Sequence, residues 1–142
     1  MTFAPKTAVA SLIHDGKNFV PATVAVQVGQ PMEVRSEDKK LHTLLAVEAG
    51  GRQVLSAPLV AMGRRTITFM EPSVPLSVHC AVHGEEPSAQ VLVFAHPFFV
   101  LASKEGTFRF DRVPVGTMHV RAEALEKEVV VVPKGIARAL LR

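Results

Sequence analysis

The chain carries one cysteine, Cys80, so no disulfide can form within it, and cysteine usage says nothing about its redox compartment. Tryptophan and tyrosine are absent, which leaves eight phenylalanines as the whole aromatic content. Long apolar runs are missing too. Stretches such as Val91 to Ala95 and Val129 to Pro133 fall far short of the roughly 20 residues that a membrane-spanning helix needs. Met1 to Pro5 shows no basic-then-apolar leader. Charge of one sign is nowhere concentrated: 16 Lys and Arg face 13 Asp and Glu, and Lys39-Lys40 and Arg64-Arg65 are pairs rather than runs. No basic face with interleaved aromatics results, which argues against a nucleic-acid partner. No glycine-rich phosphate loop leads from a strand into a helix. These absences predict a soluble protein with no membrane span.

What is present is strand-like. The chain has 142 residues, 48% of them hydrophobic. A globular chain of that length buries roughly two-thirds of its unfolded surface and needs no staple. Apolar and polar residues alternate over Val24 to Val28, Thr66 to Phe69 and Leu76 to Cys80, with turn signals at Asp15-Gly16, Gly29-Gln30-Pro31 and Gly50-Gly51. Such candidates recur about every ten residues, and no stretch keeps a helical period. This predicts an all-β sandwich or barrel. Val54 to Val60, interrupted by Pro58, reads as an edge or irregular segment. Strands after Pro97 are expected to pack on or extend the first sandwich, and Ile136 to Leu141 reads as a strand or a short helical end.

One stretch concentrates chemistry: Leu76-Ser77-Val78-His79-Cys80-Ala81-Val82-His83-Gly84-Glu85-Glu86. Alternation turns Cys80 inward with Leu76 and Val78, and His79 outward. A thiolate with imidazoles is the donor set of copper and zinc sites. Cys80 at a strand end and His83 in the next loop can point at one ion. His42, which opens a strand after the polar loop Ser36 to Lys40, is the natural third donor, and Glu86 can supply a fourth. The remaining histidines are read as structural or solvated: His14 exposed beside the Asp15-Gly16 turn, His79 facing away from Cys80, His96 at a strand exit and His119 on a tail strand. A Cys-His nucleophilic pair needs a base oriented by a third group, and a spacing of three residues suits chelation better, so no catalytic activity is expected.

His42, a long gap and then Cys80-x-x-His83 before a final strand resembles the cupredoxins, the plastocyanin-like blue copper family. Phe19-Val20-Pro21, Val24 to Gly29 and Met32 to Arg35 resemble that family's opening strands, and the similarity runs over most of residues 7 to 95. Ala102 to Thr117 is similar to the hairpin of the carboxypeptidase regulatory-like repeat. Exported plastocyanin-like proteins of the methylamine-utilisation group combine the two patterns. The resemblance implies a Greek-key sandwich over residues 1–95 and a β-hairpin extension over 96–142.

The same resemblance implies a copper site of His42, Cys80 and His83. Glu86 stands where the family has its axial methionine. It also implies one-electron transfer to a redox partner protein docked on an apolar patch around the exposed histidine, and a periplasmic or extracellular location, although a cytoplasmic one is also compatible with the residues. A carboxylate in the axial place is a harder donor than a thioether and favours Cu(II). Two other readings fit the residues: a metal-free module that binds protein or polysaccharide, and zinc at the same positions.

Overall fold

The computed structural model describes residues 3–81, 89–122, 125–131 and 135–141. The chain divides into two compact units, residues 1–101 and 102–142. Among the described residues all regular structure is β, as the alternation predicts.

Among its described residues the first unit holds nine strands: β1 (Ala10–His14), β2 (Phe19–Val20), β3 (Thr23–Gln27), β4 (Met32–Ser36), β5 (His42–Glu48), β6 (Gln53–Leu59), β7 (Arg64–Ile67), β8 (Ser73–Cys80) and β9 (Ala89–Phe94). They form a four-stranded sheet in the order β2-β1-β4-β7 and a five-stranded sheet in the order β3-β9-β8-β5-β6. Both sheets mix parallel and antiparallel pairs: β1 runs parallel to β4 and β3 parallel to β9. Residues one period of two apart share a face, so each strand contributes a single inward row. Leu12, Met32 and Val34 come from one sheet and Leu44, Leu76 and Val78 from the other, all essentially inaccessible to solvent. Each such side chain contributes roughly 1.5–3 kcal/mol relative to an exposed one. β6, the strand that contains Pro58, lies at the edge of its sheet, where a missing N–H costs no ladder bond.

Two buried glutamines close one end of this sandwich, a role not evident in the sequence. Gln27 accepts from the Lys6 amide and donates to the Ala4 carbonyl, each at 3.0 Å. Gln30 donates to Ala8 O at 3.0 Å and accepts from the Gln27 amide at 2.9 Å. The amide side chains thereby satisfy backbone groups of a segment that has no strand partner of its own.

In the second unit β10 (Gly116–Ala122) and β11 (Leu125–Val131) form an antiparallel hairpin. Met118 lies opposite Val129, and His119 and Arg121 on the other face reach Glu126. Ser103 to Thr107 forms a tight turn. Thr107 to Phe110, which alternates in sequence, is not a strand, and Ile136 to Leu141 is neither strand nor helix. An alternating pattern needs a partner strand for its backbone N–H and C=O groups, and none of the described residues supplies one here.

Candidate metal centre

The centre is built where β1, β5 and β8 end together. β5 and β8 pair antiparallel with Leu44 opposite Cys80. His42 lies two residues from Leu44 on the same face, so it is the diagonal neighbour of Cys80, within reach of a long side chain. Both point into the sandwich: His42 is fully buried and Cys80 nearly so. His42 Nδ1 lies 3.6 Å from Cys80 Sγ. The two residues expected from sequence to share a site do meet, from positions 38 apart in the chain. Ala81 N donates to Thr43 O at 3.0 Å just beyond, holding the two strand ends together.

His42 is held from its other nitrogen. Nε2 is 2.6 Å from Asp38 Oδ2. An ionised carboxylate only accepts, so the ring proton sits on Nε2 and the Nδ1 lone pair faces Cys80. A carboxylate behind a histidine is the usual outer partner of a metal-ligating imidazole. The loop that carries Asp38 is itself anchored. Ser36 Oγ accepts from Asp38 N at 3.1 Å, Met62 N donates to Asp38 O at 2.9 Å and Glu37 N donates to His14 O at 2.9 Å. Met62 occupies a left-handed conformation (φ 56°) in the turn from Val60 to Gly63. A Cβ on Gly63 would lie 2.9 Å from the Val60 carbonyl oxygen as well as against its side chain, which favours glycine in the turn.

The hydrogen bond from the His42 ring, and after it that from the Lys39 amide, hold the Asp38 carboxyl below its ordinary value of 3.8. A carboxyl lowered in the folded state adds stability that is fully present above its unfolded value and is lost as pH falls through the folded one. In the metal-free protein Asp38→Asn is therefore expected to shrink the loss of stability between pH 5 and pH 3. Urea unfolding at the two pH values measures it; an unchanged difference contradicts the assignment.

His14 is the residue that the sequence reading placed wrongly. It is not exposed but fully buried. It follows Leu12 by two on β1, and that period turns both inward; the Asp15-Gly16 turn begins only after it. Its ring stacks on His42 with centroids 3.7 Å apart and planes 24° apart, and meets Phe19 edge-on at 4.7 Å. Gly16 N donates to its Nδ1 at 3.1 Å. Gly16 takes φ +107°, a left-handed value that favours glycine.

Among the described residues His14, His42 and Cys80 bring one ligand atom each to within 4.8 Å of one another, a spacing found around metal ions. The other two sequence candidates, His83 and Glu86, lie outside the described residues. His79 falls on the opposite face from Cys80, as expected, and is half-buried. His96 accepts from Phe98 N at 3.1 Å, and the exposed His119 pairs with Glu126 at 3.0 Å.

The donor set fits copper or zinc. With bonds of roughly 2.0 Å to nitrogen and 2.3 Å to sulfur, an N···S separation of 3.6 Å corresponds to an angle of about 110°, close to tetrahedral. The two sheets of the first unit form a cupredoxin-like β-sandwich. A purple cupredoxin from Nitrosopumilus maritimus superposes with a TM-score of 0.51 at 19% identity, over 59% of this chain and 98% of the other. The copper-containing nitrite reductase of Thermus scotoductus gives 0.49 and 20%, over 64% of this chain and 23% of that one. Amicyanin from Paracoccus versutus gives 0.48 and 13%, over 60% and 80%. No family model matches the sequence, and no curated protein is significantly similar to it.

Proposed function

We propose that the protein is a copper-binding electron carrier rather than an enzyme. The observation that carries this reading is the pairing of a buried thiol with a histidine nitrogen at 3.6 Å, the ring being held from behind by Asp38. His42 Nδ1 and Cys80 Sγ are the donors; binding displaces the thiol proton. By resemblance, His83 and Glu86 are the further donors from the following loop, with Glu86 in place of a methionine. Copper held by these residues would supply one-electron exchange with a redox partner protein. The strand ends that carry the two donors belong to directly paired neighbours of one sheet, which limits rearrangement between the two oxidation states.

Leu41, Val60 and Met62 are each more than half exposed beside the Asp38 loop, next to Lys39 and Lys40. An apolar centre with basic neighbours suits a partner with an acidic rim. The exported branch of the cupredoxins that the sequence resembles favours a periplasmic or extracellular setting.

Titration of purified protein with Cu(II) tests the proposal. One equivalent is expected to bind with an intense visible absorption from thiolate-to-copper charge transfer. Zinc retained against added copper assigns a zinc site instead. No bound metal and no band leave a metal-free interaction module and overturn the copper reading.

A further inference from the structure

His14 enters the centre in a way the ligand pattern does not include. Its ring lies over the face of His42, with centroids at 3.7 Å. A ligand imidazole holds its ion in the plane of its own ring. Two rings stacked face to face and tilted by only 24° cannot both aim in-plane lone pairs at one ion. The hydrogen bond to Gly16 points the same way: Nδ1 of His14 accepts it, so the neutral ring carries its proton on Nε2. His14 is immobilised on its other side by the edge-on contact with Phe19 and through its carbonyl, which accepts from Glu37 N in the loop leading to Asp38.

We propose that His14 is a positioning residue for the copper site: its imidazole covers the face of His42, keeps that ring aimed at Cys80, and lowers the reduction potential. This role rests on the copper reading above. The physical basis is electrostatic. The face of an aromatic ring is electron-rich, and an imidazole bound to Cu(II) carries more positive charge than one bound to Cu(I). A stacked ring therefore favours the oxidised state, by the attraction that draws cations to ring faces. Asp38 in the ring plane and His14 above it together fix the orientation of His42.

Two full-length variants test the role. His14→Gln keeps an acceptor for Gly16 N but removes the ring; His14→Phe keeps a ring and removes the nitrogens. In the metal-free protein, the His42 ring-proton resonances are expected to lose a ring-current shift in His14→Gln and to keep it in His14→Phe. With copper bound, both variants are expected to retain the visible band. His14→Gln is expected to lower the ratio of Cu(II) to Cu(I) affinity about three- to tenfold, a rise in potential of about 30–60 mV at 59 mV per decade. His14→Phe is expected to stay within about a factor of two of the parent ratio. Loss of copper in both variants makes His14 a ligand and overturns the proposal. So does a His14→Gln protein whose potential and His42 resonances match the parent, or a His14→Phe protein as perturbed as His14→Gln. Failure of the parent protein to bind copper instead overturns the copper reading, and this role with it.

Discussion

Cys80→Ser is expected to abolish the intense visible band of the copper-loaded protein while leaving the protein folded. Sulfur is the only donor in the cluster capable of strong thiolate-to-copper charge transfer, and a hydroxyl at the same position does not ionise near neutral pH. Loss of an outer partner of a metal ligand already costs about 10–100-fold in affinity, so loss of the thiolate itself is expected to weaken Cu(II) binding by roughly a hundredfold or more. The fold is expected to tolerate the change because serine is nearly the same shape and its hydroxyl can donate to His42 Nδ1, as the thiol does at 3.6 Å. Absorbance and equilibrium dialysis read the two effects. A Cys80→Ser protein that keeps the band and the affinity removes Cys80 from the site.

Phe19→Ala carries the largest expected effect on stability. Phe19 is 1% exposed and among the bulkiest buried side chains of the first unit. Truncating a buried phenylalanine costs about 3–5 kcal/mol through lost transfer energy and the cavity left behind. That is a large share of the 5–15 kcal/mol typical of a folded domain. The cavity also opens against the His14 ring, whose edge-on partner at 4.7 Å is removed. Urea unfolding of the metal-free protein is expected to show a midpoint well below that of the parent, with an unchanged slope. A loss under 1 kcal/mol contradicts the packing described for this residue.

The two predictions separate what Cys80 and Phe19 do. The first residue is expected to be dispensable to the fold and necessary to the proposed copper chemistry. The second lies outside the donor set but supports the ring that lies over it. The β1–β2 corner thus reaches the candidate metal centre through packing: Phe19 against His14, His14 against His42, and His42 toward Cys80.

The all-β architecture was legible in sequence because strand alternation is a local property. Leu76, Val78 and Cys80 repeat at a period of two, and that period alone places the thiol inside. His42 was legible for the same reason, as the first residue of an alternating run after a polar loop. His14 has the same signal, Leu12 two residues before it, but the turn that begins at Asp15 masks it in sequence. The tail shows the reverse error. Ile136 to Leu141 is apolar enough to suggest a strand or a short helical end, yet it has no regular structure, because composition does not provide a partner for backbone groups.

By itself the sequence determined the period of two, the inward thiol and a histidine able to reach it. Tertiary structure decided the register of β5 against β8, which puts Leu44 opposite Cys80 and so sets the 3.6 Å approach of His42. It also decided the parallel pairing of β1 with β4, which lays His14 opposite Ser36 and over the ring of His42. Register and sheet order arise from contacts between residues tens of positions apart, and a local pattern shows which face a side chain takes but not which neighbour it meets there.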